Sequence, residues 1–213
     1  MRVTTSVDND IDKTVEPCEN SDVPTVTNNS QCEGGGNAEK CTEFVESGSV
    51  PSAEGGGQAA EPRVVNIHSK SKVYPEAELS NFYPHAFVVD GVECASMEGF
   101  LQSLKHRRAS AQMKICRLVG GDAKDAGAKK RLWRWLGRVW WQGRAYRRDS
   151  AELYALVRRA YSELYRQNGG FRDALNSTRG ATLTHDIGSH DPRKTILTEE
   201  EFISHLVAVR DGV

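Results

Sequence analysis

Ser96-Met97-Glu98-Gly99-Phe100-Leu101-Gln102-Ser103-Leu104-Lys105 carries the most informative pattern in the chain. Its spacing predicts the opening turns of an amphipathic helix. Ser96 stands where an N-cap belongs, and Glu98 lies in the first turn, where the helix dipole favours an anion. At about 100° per residue, Glu98, Gln102 and Lys105 fall within roughly 60° of one another. Met97, Phe100, Leu101 and Leu104 take the neighbouring arc. One flank therefore faces a core, and beside it runs a row of carboxylate, amide and amine. The ends of that row are about 10 Å apart along the axis, too far for Glu98 and Lys105 to satisfy each other directly. Such a row suits a cleft that handles a polar ligand, and equally an ordinary solvated helix face.

Working outward, Phe87-Val88-Val89-Asp90-Gly91-Val92-Glu93-Cys94 is a hairpin signal, Asp-Gly between β-branched residues. Before it, Glu78-Leu79-Ser80-Asn81-Phe82-Tyr83-Pro84 has no regular period and reads as a loop, and Val64-Val65-Asn66-Ile67 reads as a short strand. After the central helix, residues 109–119 look helical, with Gly120-Gly121 as the stop and a short helix over 122–130. The segment 131–141 resists any period. Asp149-Ser150-Ala151-Glu152 is a capping-box pattern with Asp149 at the cap, opening a helix to about Gln167. Leu153, Leu156, Val157, Ala160, Tyr161 and Leu164 form its apolar stripe. Asn168-Gly169-Gly170 stops it, a short helix runs to Asn176, and Thr182-Leu183-Thr184-His185 is a strand candidate. Thr198-Glu199-Glu200-Glu201 is a second capping box before a final helix. The sum is one α+β domain over 63–213, mainly helical with a small β-sheet.

Residues 1–62 have a different character. They are rich in Ser, Thr, Asn, Gly and acid and hold two Gly-Gly-Gly runs. Such composition buries too little apolar area to offset ordering entropy, and a disordered tail is expected. The overall net charge of -1 hides an asymmetry. The tail has twelve acids against three bases; the body has 25 bases against 17 acids. The basic body favours a phosphate-bearing ligand or nucleic acid. Five cysteines without zinc-like spacing read as reduced thiols of an intracellular protein. No apolar run approaches the roughly 20 residues that span a membrane, and a soluble protein is expected.

Three groups of residues are able to carry chemistry. The first is Asn81 with the row Glu98, Gln102 and Lys105. The second is the polar loop holding His185, Asp186, His190 and Asp191, for which helix capping and turn chemistry are an equal reading and metal binding a remote one. Separated acids plus an amine fit hydrolysis at an anomeric carbon. A lysine of depressed pKa is also able to attack an opened sugar as a Schiff base. The third runs between Lys124 and Arg148: nine bases and one acid interleaved with four tryptophans. It suits phosphates and unstacked bases, or tryptophans in a core with arginines as a solvated rim.

Leu79-Ser80-Asn81-Phe82, the Asp90-Gly91 turn and Ser96-x-Glu98-x3-Gln102-x2-Lys105, in that order, resemble the NADAR family, also called YbiA-like. Ala126-Gly127, the helix with Arg158-Arg159-Ala160-Tyr161, and the stretch from Leu175 to His185 are similar to further family segments. The similarity covers about residues 72–210. It implies a YbiA-like α+β fold and hydrolysis of a ribose–base N-glycosidic bond. The implied substrate is ADP-ribose on guanine in DNA or nucleotides, or a phosphoribosylamino-pyrimidine intermediate of riboflavin synthesis. A module that binds ADP-ribose or nucleic acid without turnover is the non-enzymatic alternative. By this resemblance Glu98 is the main catalytic carboxylate, Lys105 a second catalytic group, and Asp191 the acid of a late motif whose aromatic-glycine part is here Pro192-Arg193-Lys194. Ser80, Asn81, Phe82, Gln102, Trp141 and His185 are the candidate substrate-binding residues, Trp141 as a ring on which a sugar or base stacks. No cofactor is implied.

Overall fold

The structure is a computed structural model that describes residues 63–213. The segment 1–62, expected to be a disordered tail, lies outside the described residues. The elements in chain order are β1 (Val64–Asn66), α1 (Glu76–Leu79), β2 (Phe87–Val89), β3 (Val92–Cys94), α2 (Met97–Ser103), α3 (Ala109–Cys116) and α4 (Gly120–Ala128). They continue with α5 (Leu132–Leu136), β4 (Arg138–Trp141), β5 (Arg144–Arg147), α6 (Ala151–Gln167), α7 (Gly169–Asn176), β6 (Thr182–Thr184) and α8 (Glu199–Asp211). The result is α+β: helices around three two-stranded sheets among the described residues. No helix among them is long and apolar enough to cross a membrane.

The sheets act as local ties. The β2–β3 hairpin turns on Asp90 (φ 48°) and Gly91 (φ 77°), the pair of positive angles that a two-residue turn of this hand requires. The β4–β5 hairpin does the same with Gln142 (φ 45°) and Gly143 (φ 83°). β1 and β6 pair in parallel, Val65 opposite Leu183, which ties the start of the described chain to the segment that precedes α8. α6 buries the predicted stripe of Leu153, Leu156, Val157, Ala160, Tyr161 and Leu164. Each large side chain in that stripe contributes roughly 1.5–3 kcal/mol by leaving water.

Several boundaries differ from the sequence expectation, each for a physical reason. Gly120-Gly121 opens α4 rather than closing α3, which already ends at Cys116. Gly120 has φ +52° and lies against Phe82, whose carbonyl oxygen would be 3.5 Å from an added Cβ. α6 is capped by Ser150, whose hydroxyl accepts from Leu153 N at 3.2 Å; Asp149 instead takes both guanidinium arms of Arg147. Residues 131–141 resist one period because they hold two structures, the short α5 and then β4, with Gly137 (φ +58°) between them.

Candidate functional site

α2 is fixed at its N-terminus by three hydrogen bonds. Ser96 Oγ accepts from Gly99 N at 3.0 Å and donates to the Leu118 carbonyl at 2.9 Å. Glu98 N donates to the Asn81 carbonyl at 2.8 Å, tying the Ser80-Asn81-Phe82 loop to the helix. Gly99 permits the close packing behind: a Cβ there would lie 2.6 Å from the Leu118 carbonyl oxygen. Losing a cap of this kind costs about 1 kcal/mol.

In the polar row predicted from spacing, Glu98 and Gln102 are buried and Lys105 is half-buried. Glu98 is 7% exposed and Gln102 is 8% exposed. Glu98 and Lys105 do not meet; Gln102 joins them. Its Nε2 donates to Glu98 Oε1 at 2.8 Å, and its Oε1 accepts from Lys105 Nζ at 2.5 Å. The amide orientation is thereby set by one partner that only accepts and one that only donates. Burial pushes the Glu98 carboxyl above the usual carboxylate range, partly offset by the Gln102 hydrogen bond and by Lys105 and Lys124. Burial brings the Lys105 amine down to about 8, with Glu98 opposing the shift and Arg134 and Lys124 adding to it.

These groups line a cavity of about 440 Å³. α2 supplies one wall with Glu98, Leu101, Gln102 and Lys105. The loop Ser80, Asn81 and Phe82 forms a second, and Lys124 of α4, Arg131 and Arg134 a third. The segment after β6 closes the fourth side with His185, Ile187, Gly188, Ser189 and Lys194–Leu197. Asn81 is oriented from behind: the hydroxyl of fully buried Tyr161 donates to its Oδ1 at 2.6 Å, leaving the amide NH₂ for a ligand. His185 Nδ1 faces the Ile67 carbonyl at 2.5 Å, and because a carbonyl only accepts, that nitrogen carries the proton. Glu98 is the one carboxylate among the lining residues, against five cations: Lys105, Lys124, Arg131, Arg134 and Lys194. Such a balance attracts an anion, phosphate above all.

The structure thus brings together Ser80, Asn81, Phe82, Glu98, Gln102, Lys105 and His185. Two candidates are not brought to the cavity. Asp191 is turned away from it, its Oδ1 accepting from Arg193 N at 2.9 Å and from Arg193 Nε at 3.2 Å. Trp141 is core: its ring packs edge-on against Phe100 at 5.0 Å between centroids, and its Nε1 donates to Asp90 Oδ2 at 2.8 Å. Two contributors were not singled out from sequence as parts of this site. Tyr161 reads as one more residue of an apolar stripe. Gly127 lies where a Cβ would stand 1.9 Å from Gln102 Oε1, so it makes room for the bridging amide. Its weak signal is a glycine inside a helical pattern, where alanine would favour the helix by about 1 kcal/mol.

Comparison with known proteins fits this geometry. Residues 73–211 match the family described as bacteriophage protein GP30.3. The chain is 39% identical over 141 residues to an uncharacterized 17.1 kDa protein in the Gp30-rIII intergenic region of Enterobacteria phage T4, covering 66% of this chain and 93% of that one. In fold it is similar to the Escherichia coli protein YbiA, with a TM-score of 0.50 and 17% identity over 71% of this chain and 85% of the other. The resemblance to YbiA therefore holds for the fold, and the chain belongs to the bacteriophage GP30.3 family.

Proposed function

We propose that the protein is an N-glycosidase that hydrolyses a ribose–base bond, with ADP-ribose on guanine, in DNA or a nucleotide, as its substrate. The observation that carries the reading is the Glu98–Gln102–Lys105 series in a cavity whose other charged lining residues are cations. The five cations favour a ligand with more than one phosphate, which ADP-ribose has and the phosphoribosylamino-pyrimidine lacks.

The two pKa directions support a division of roles. Ionised Glu98 takes a proton from water as the water oxygen attacks the anomeric carbon, and its charge stabilises the oxocarbenium-like transition state. The C1–N bond breaks, and the leaving nitrogen takes a proton from the Lys105 ammonium, which is a better donor with its pKa near 8 than at its ordinary value. Gln102 holds both groups in register, and Asn81 binds the ribose through its free amide NH₂. Phe82, with Lys124 Nζ 5.4 Å from its ring centre, offers a face for the base.

The test is turnover of guanine-linked ADP-ribose, in an oligonucleotide and as a free nucleotide. Glu98→Gln is isosteric with the carboxylate and should stay folded while losing turnover by roughly 10²–10⁴-fold. Unimpaired release by that variant would remove Glu98 from the reaction. Faster turnover of the phosphoribosylamino-pyrimidine than of ADP-ribose on guanine would move the substrate assignment.

A further inference from the structure

The tryptophans between Lys124 and Arg148 divide sharply. Trp133, Trp140 and Trp141 are buried, but Trp135 is 88% exposed. α5 explains the contrast: residues two apart on a helix lie about 160° from each other round the axis, so burying Trp133 turns Trp135 outward. Leu132 and Leu136 beside it are half in water. A large indole left this open on a helix with two further exposed apolar residues is a contact surface in search of a partner.

The charge around it says which kind. Arg134, on the same helix, borders the candidate active-site cavity and also a second groove of about 410 Å³. That groove is lined by Arg138, Arg147 and Arg193 among others. Arg147 and Arg193 are paired with Asp149 and Asp191, whereas Arg138 makes no ion pair among the described residues. α5 therefore forms a ridge between two basic depressions, with an open ring on it. The same face of a second copy carries like charge and does not complement it. A polyanion is drawn in, and an open indole takes the face of an unstacked base.

We propose that α5 docks a single strand of nucleic acid: Trp135 stacks a base flanking the nucleotide held in the cavity, and Arg134 and Arg138 neutralise the phosphates on either side. The identity of the nucleotide in the cavity rests on the glycosidase reading; docking of the strand does not.

The experiment is fluorescence anisotropy of an end-labelled, unmodified single-stranded DNA of roughly 12 nucleotides, a length within the usual footprint of such sites. It is run with the full chain at several salt concentrations. Trp135→Ala is expected to weaken binding about tenfold, and Trp135→Phe to restore most of it. Arg138→Ala is expected to reduce the salt dependence by about 0.7 in the log–log slope. Trp135→Ala should still hydrolyse free ADP-ribosylated guanine nucleotide at the wild-type rate. Failure of the wild type to bind the strand overturns the proposal, as does equal affinity of Trp135→Ala. So does sedimentation showing that Trp135 is occupied by self-association. Strand binding that depends on Trp135, without turnover of any ADP-ribosylated substrate, supports the ridge and removes the glycosidase reading alone.

Discussion

The polar row on α2 and the polar segment after β6 have similar composition and opposite fates. On α2, three residues at helical spacing are bonded in series, buried Glu98 to buried Gln102 to half-buried Lys105, and both ionisable ends are shifted from their ordinary range. In the later segment, Asp191 is bonded to its own neighbours Arg193 and Lys194, and His190 pairs with Glu199 at 3.3 Å. The second set solves a local folding problem, closing a turn and leading into a capped helix. The first set spends burial on groups that would be more comfortable in water, which supports the proposed site. Similar residue types therefore mean different things according to whether their partners are one turn of chain or one helical turn away.

Three tests press on that contrast. Gly127→Ala should have the largest effect. Its Cβ would overlap Gln102 Oε1, so the bridging amide has to swing away and the series is cut. Turnover of guanine-linked ADP-ribose should fall by roughly 10²-fold, the typical scale for a positioned acid–base group. The displaced amide also leaves Glu98 and Lys105 without their shared partner, which outweighs the up to about 1 kcal/mol that an interior alanine adds to a helix. Lower stability together with poor turnover is the expected pair; unchanged turnover would mean that the amide bridge is dispensable.

The pH profile of turnover comes second. With Lys105 as proton donor, the rate should fall about tenfold per pH unit well above about 8, as the ammonium is lost. On the acidic side it should rise as Glu98 ionises, above the pH at which an ordinary glutamate would do so. A rate that climbs through pH 8 would instead make the free amine an attacking nucleophile. Asp191→Asn should do least. Its partner Arg193 is well exposed, and surface pairs of this kind contribute little, so turnover should stay within about twofold of wild type. A tenfold loss would return Asp191 to the reaction.

The contrast also marks what the sequence made legible. α2, the stripe of α6, the Asp90-Gly91 hairpin and the Thr198 capping box each declare themselves locally, through a period or a cap that needs nothing distant. The β4–β5 hairpin did not, because Gln142 occupies a positive-φ position that usually announces itself with Asn, Asp or Gly. Within the site, the α2 row was readable from spacing. The company it keeps was not: Tyr161 behind Asn81, Gly127 against Gln102, and Arg131 and Arg134 at the rim come from elements that only tertiary packing assembles.

Ile67 and Ser69, just past β1, and His185, just past β6, face the same cavity, and the strand pair that unites them spans almost the entire described chain. A growing polypeptide that has made α2, with its acid, amide and amine in order, still owns an open trough. The cavity is walled on all sides only with the late strand paired to the early one, so a chain cut before β6 would lack the side that His185 and the residues after it supply.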